Sequence, residues 1–308
     1  MRTPSHLPLG GARLAPATTL SMARYNRRRL ALPIAAEDIT SEAEEHAHRQ
    51  LEIAFVEAER DVVRARAAEA PRDARAFVAW FEALKELGPG QGDSLFPWLA
   101  EHAPEEAMRW FLAQEVAGEA GFDDLVALTQ LKMPPGPKLE LARNYWDEMG
   151  QGHRGGMHGP MLSRLAEELD LEAMGVELVP ESLALGNLML ALAMHRRYVF
   201  HSIGALGAIE LTAPGRAEHV NAGLRRLGVP GEARRYFALH ATLDVKHSEA
   251  WNREVLAPLV EQYPASAPLI AEGALLRLTA GARCFARYRQ TLWSRPVADA
   301  RPSLAAAS

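Results

Sequence analysis

Apolar residues recur along this chain at three- and four-residue intervals. Sustained apolar–polar alternation, the mark of a half-buried strand, does not occur. No Asn-Gly or Asp-Gly pair is present to close a tight hairpin. The spacing predicts a helix from Thr40 or Ser41 through Ala67, with Leu51, Phe55, Val62 and Val63 facing inward. A second opens at Asp73 and closes at Gly88-Pro89-Gly90. Pro104, where a first-turn proline is tolerated, begins EEAMRWFLAQEVAGE. A short helix from Asp123 to Leu131 follows, and Pro134, Pro135 and Pro137 mark a turn before KLELARNYWDEM. Beyond the glycine-rich GQGHRGG, a helix spans His158 to Leu169. A long helix is expected from Ser182 to Thr212, ending before Pro214, then a short one from Ala217 to Leu227. Another runs from Gly231 to Pro258, and the last from Ala267 to about Trp293. The fold class is therefore all-α. One helical domain is expected over residues 37–296, between a flexible basic arm (1–36) and an alanine-rich flexible tail (297–308).

Composition narrows the functional classes. The 308 residues are 48% hydrophobic and 24% charged, an ordinary globular balance. The net charge of −5 gives no general attraction to nucleic acid. Charge is uneven, however: residues 1–36 carry Arg2, Arg13, Arg24, Arg27, Arg28 and Arg29 and no acid. RRRLALPIAA weakly suggests a targeting segment, but Pro33 interrupts its short apolar part and no convincing cleavage site follows. Cys284 is the only cysteine, which excludes an intramolecular disulfide and implies a reducing, cytoplasmic setting. No apolar run reaches the ~18 residues of a membrane span, and LALGNLMLALAM is interrupted by Asn187.

The candidate chemistry lies in HATLDVKHSEAW. His240, Asp244 and His247 stand at i, i+4 and i+7, within a narrow arc of one helix, in line with Phe237 and Trp251. Polar groups on a core-facing stripe are costly unless paired, and a metal ion is one partner. Glu210 is the only charged residue between Tyr198 and Gly215, with no Lys or Arg three or four positions away. In WFLAQEVAGEAGF, Glu115 shares a face with Phe111 and Leu112, while Glu119 lies at the fraying end. Glu148 ends one helix and His158 begins the next, with four glycines between them; Asp147 and His153 compete for the same role. The set is Glu115, Glu148, His158, Glu210, His240, Asp244 and His247. Its four carboxylates match the charge of two divalent ions. Carboxylate and imidazole donors without thiolate suit iron or manganese, and zinc less specifically. Elsewhere the plainer reading is preferred. His46 and His48 belong to a solvated face, His195 and His201 to hydrogen-bonded helix positions, and Trp146 and Trp251 to the core. Cys284 reads as a buried small residue, not a nucleophile.

Four segments, FLAQEVAGEAGFDDLVALTQL, NYWDEMGQGHRGGMH, AIELTAP and HATLDVKHSEAW, together resemble the haem-oxygenase-like non-haem diiron oxidases and oxygenases, a family also described as iron-containing redox enzymes. The resemblance covers roughly residues 100–260. It implies a haem-oxygenase-like bundle of about seven core helices plus an N-terminal helical extension, binding two iron ions rather than haem. It also implies that Glu115 comes from the first core helix, that Glu148 and His158 follow, that Glu210 is the additional carboxylate, and that His240, Asp244 and His247 close the set. Dioxygen as co-substrate, an external reductant and a small-molecule substrate are implied too. A homodimer is compatible with it. Family chemistries include N-oxygenation of amines or guanidines and oxidative carbon–carbon cleavage of fatty or amino acids, and the ligand spacing leans to the N-oxygenating branch. The alternatives are a haem-binding relative, a metal-independent oxidase, and a non-catalytic scaffold that docks a partner through its basic arm.

Overall fold

The computed structural model describes residues 14–294. Among the described residues the chain is all-α, as a haem-oxygenase-like bundle requires; the one extended pairing is an isolated bridge between Met149 and Met157. The N-terminal part comprises α1 (Pro16–Leu30), α2 (Glu42–Ala67), α3 (Ala74–Leu87) and α4 (Leu95–Glu101). Ser41 caps α2 by accepting from the Glu44 N–H, and Asp73 caps α3 by accepting from the Ala76 N–H, so both starts lie where the sequence puts them. Next come α5 (Glu105–Gly118), α6 (Phe122–Thr129), α7 (Pro135–Glu148) and α8 (His158–Glu168). The remaining helices are α9 (Pro180–Met194), α10 (Val199–Arg226), α11 (Arg235–Ala250), α12 (Ala257–Gln262) and α13 (Ala267–Ser294).

Helix α10 is the axis of the fold and packs against α4, α11 and α13. Its crossing with α13 is too close for side chains: a Cβ on Gly204 would lie 1.9 Å from the Ile270 carbonyl oxygen, and one on Gly273 would lie 1.9 Å from that of His201. Buried carboxylates tie α2 to the same pair. Glu272 on α13 accepts from Arg60 and contacts His201 at 2.9 Å, and Glu52 meets His195 at 2.8 Å. His195 and His201 are thus hydrogen-bonded helix-end and helix residues, as expected.

Several expectations are corrected. The predicted helix from Ser182 to Thr212 is broken at His195–Tyr198, because buried His195 leaves the helical path to meet Glu52. Helix α10 does not end at Pro214 but runs through it to Arg226; burial of Ala217, Val220 and Leu224 offsets the donor that proline lacks. The helix expected to reach Pro258 loosens at Trp251–Leu256 into a π-type turn. Helix α4 was not anticipated. The flexible arm is corrected over Pro16–Leu30, which is helical and buries Met22, Tyr25 and Asn26. Residues 1–13 of that arm, and the tail from 297, lie outside the described residues. Trp251 is core at 1% exposure, but Trp146 is 53% exposed, lying over Gly152. His46 is exposed, and His48 is half-buried because it stacks on Tyr25 with 3.6 Å between ring centroids.

Candidate metal centre

Two helix ends are brought together by a nine-residue excursion. Gly150 takes φ +61°, a left-handed conformation open to glycine, and a Cβ there would lie 2.4 Å from the Gly156 carbonyl carbon. The bridge between Met149 and Met157 closes the excursion on itself. Buried Glu148, the last residue of α7, therefore sits with Oε2 2.8 Å from Nδ1 of buried His158, the first residue of α8. Helix α11 adds His240, whose ring centroid lies 4.7 Å from that of His158. Ligand atoms of Glu148, His158 and His240 all lie within 4.8 Å of one another. A second triad meets the same limit: Glu210 from α10 with Asp244 and His247 from α11, all buried. The stripe read from the sequence thus serves both triads.

The donors point inward without satisfying one another. Nδ1 of His158, Nδ1 of His247 and Oδ1 of Asp244 are buried and make no hydrogen bond. The 2.8 Å approach of His158 to Glu148 is short, but its direction is wrong for a hydrogen bond. Buried polar atoms are nearly always paired, so orphans grouped on common points fit a cation. The donor set, oxygen and imidazole nitrogen, fits iron or manganese.

Outer contacts aim these donors. Nδ1 of His240 donates to the Tyr236 carbonyl at 2.7 Å, which leaves Nε2 with its lone pair. Nε2 of His247 contacts Asp147 Oδ2 at 3.2 Å, which turns Nδ1 toward Glu210 and Asp244. Asn144, one turn before Glu148, donates from Nδ2 to Glu210 Oε1 at 2.6 Å. Asp147, a competing candidate, thus supports a ligand-type histidine from outside, and His153 is exposed. Asn144 was missed. Its signal was the i−4 spacing from Glu148 on one helix face.

Electrostatics divide the histidines. Burial, then the neighbouring His247 and His158 respectively, lowers the pKa of His158 and His240 to about 4, so both are neutral at pH 7. His247 resists its burial and is raised to about 9 by Glu210 and Asp147. Burial, then Glu210 and Glu148, raises Asp244 to about 10. Burial and Glu210 raise Glu148 well above the usual carboxylate range. The mutual influence of Glu148, Glu210 and Asp244 shows that the two triads adjoin.

Beside them is a cavity of about 140 Å³, reached by Glu148, Glu210, His240 and Asp244. Its remaining polar wall is Glu115, Glu119, Arg216, Tyr236 and Arg277, and its apolar wall includes Phe111, Leu162, Ile209 and Phe237. Six of the seven expected residues form the triads; Glu115 does not join them. Its carboxyl is raised by burial, against Arg216 and Arg277. Glu119 is the α5-end carboxylate whose charge bears on Glu148. It stays at the helix end because it accepts from the Gly121 N–H at 3.0 Å. Arg216 and Arg277 were also missed, although Arg277 stands out as the sole basic residue of the apolar run ALLRLTAG. Cys284 is buried, with its thiol pushed up to about 12 by burial and Glu115, as befits a packing residue. Among the described residues no helix is long and apolar enough to cross a membrane.

A family model described as iron-containing redox enzyme matches residues 109–282. No curated protein matches the chain.

Proposed function

The chain belongs to the iron-containing redox enzyme family and is an oxidoreductase, and from that premise we propose that it is a dioxygen-using non-haem diiron oxygenase or oxidase. The supporting observation is the pair of adjoining buried triads, Glu148–His158–His240 and Glu210–Asp244–His247, opening on one cavity. In this reading each triad holds one iron. Glu119 supplies the fourth carboxylate that balances two divalent charges, and Glu115 belongs to the substrate wall. Iron held there would supply the electrons and open coordination positions for dioxygen reduction, with an external reductant restoring it.

The chain's own residues prepare that chemistry. His158 and His240 are neutral, so no proton competes for their lone pairs. Asp147 holds the outer nitrogen of His247, and the Tyr236 carbonyl holds that of His240, so neither ring needs to turn when a ligand arrives. Asn144 fixes the Glu210 carboxylate. Phe111, Leu162 and Phe237 give the cavity an apolar wall, and a low-dielectric wall strengthens the charge interactions beside it. The cavity is smaller than the ~300–1,000 Å³ that drug-sized ligands occupy. That favours a compact organic substrate over haem. N-oxygenation of an amine or amino-acid-like compound remains the preferred reaction, with oxidative carbon–carbon cleavage as the second.

The test is anaerobic Fe(II) loading, metal analysis, then mixing with oxygenated buffer in a stopped-flow spectrometer. Two irons per chain and a transient absorption are expected. Glu148→Ala and Asp244→Ala should each lose at least one iron, and near-normal iron in both variants overturns the reading.

A further inference from the structure

The arginines of the cavity have no part in holding metal. Nε and Nη1 of Arg277 on α13 are buried and make no hydrogen bond. Arg216 on α10 lines the same cavity, its guanidinium carbon 5.6 Å from the Phe285 ring centroid. Each repels the other, and burial together with that repulsion lowers Arg216 to about 10. Two half-buried guanidiniums lining one small cavity, one of them with two buried nitrogens left unpaired, call for an anion.

Glu115 does not fully meet that need. Burial raises its carboxyl, and even when ionised it sets one negative charge against two positive ones. Asp244 acts on Arg216, but in the diiron reading its charge is taken up by metal. An anion arriving with the substrate would complete the set. A singly charged planar carboxylate suits this place better than a phosphate. It can pair bidentately with a guanidinium, and it brings less repulsion from Glu115 and Glu119.

We propose that Arg216 and Arg277 form a carboxylate-binding subsite that anchors a small carboxylic or amino acid, leaving its far end beside the Glu148 and Glu210 triads. The proposal rests on the reading of this cavity as the substrate site of a diiron oxidoreductase, and it names the substrate class. Anchoring at one end explains the division of the cavity wall. The guanidiniums hold the carboxylate, the phenylalanines cover the carbon chain, and the triads meet the opposite end.

Binding to the full chain can be measured by titration calorimetry, both metal-free and loaded anaerobically with Fe(II). The probes are butanoate, hexanoate, octanoate, norleucine, hexylamine and inorganic phosphate. At least one carboxylate should bind with a Kd below about 1 mM. Hexylamine and phosphate should bind at least about tenfold more weakly. Arg277→Gln should weaken carboxylate binding about tenfold or more, and Arg277→Lys, which keeps charge but loses the fork, by an intermediate factor. Both variants should keep wild-type iron content. Carboxylate binding unchanged in both, equal binding of phosphate or hexylamine, or no binding by any carboxylate overturns the subsite. The two readings fail separately. Iron bound without carboxylate binding removes the subsite alone, whereas Arg277-dependent carboxylate binding in a protein that takes no iron removes the diiron reading alone.

Discussion

Asp244 and His247 carry protons that a metal bound at the proposed centre would displace. The carboxyl of Asp244 is raised from 3.8 to about 10 by burial and its acidic neighbours, and His247 is raised from 6.5 to about 9 despite burial. Both are protonated at pH 7 in the metal-free protein, so Fe(II) binding should release protons and tighten as pH rises from 6 to 9. Calorimetry in two buffers of different ionisation enthalpy measures the release; pH-independent affinity with no proton release would refute it. The same shifts set stability. Where the folded pKa exceeds the unfolded one, stability is full below the unfolded value and is lost as pH climbs through the folded value. Asp244, Glu148 and His247 all act in that sense, so the melting temperature of metal-free protein should fall between pH 6.5 and 9. Loading with Mn(II) should remove the fall. Six of the triad residues were legible because each polar group interrupts an apolar stripe or sits at a glycine-flanked helix end. The carboxylates of α5 were harder to read. A helix end looks frayed in sequence, yet Glu119 is held there by the Gly121 N–H, and Arg216 and Arg277 sit on helices that seemed only to pack.

At the level of elements, the centre depends on a loop rather than on the helices it joins. The Met149–Met157 excursion sets the distance between Glu148 and His158, and Gly150 at φ +61° makes the turn. Gly150→Ala would bring a Cβ against the Gly156 carbonyl carbon and pay the left-handed penalty, about 1–2 kcal/mol before any clash. Relief by opening the loop should separate Glu148 from His158. The expected result is loss of about half the iron with helical circular dichroism unchanged. Full iron content would mean that the loop does not set the site. The glycine cluster announced this turn in the sequence. Helix boundaries were less legible where tertiary contacts overrule local preference. Pro214 stays inside α10 because the helix buries Leu211 and Thr212 before it and Ala217 and Val220 after it, and His195 breaks a strongly apolar run to reach Glu52. Nothing within either segment records the partner that decides it.

Across the whole molecule, the N-terminal helix is part of the folded body. Asn187, which looked like an interruption in an apolar helix, is where α1 is anchored. Its Oδ1 accepts from Asn26 Nδ2 at 2.9 Å, and its Nδ2 donates to the Thr19 carbonyl at 3.0 Å. Arg29 reaches Glu52 on α2, which also holds His195 of the α9–α10 break. Basic residues of the arm therefore serve an intramolecular purpose, invisible in sequence because nothing in the arm records that Glu44 and Glu52 of the next helix fold back onto it. Asn187→Ala would leave Asn26 buried without its partner, a cost of about 1–3 kcal/mol, and should lower the melting temperature measurably. Deleting residues 1–31 should lower it further, since Met22 and Tyr25 leave the core with α1. No triad residue lies on α1 or α9, so iron per folded chain should stay at the wild-type value in both variants. An unchanged melting temperature after the deletion would return α1 to the status of an appended arm, whereas loss of iron with the fold intact would mean that this end of the bundle also shapes the metal centre.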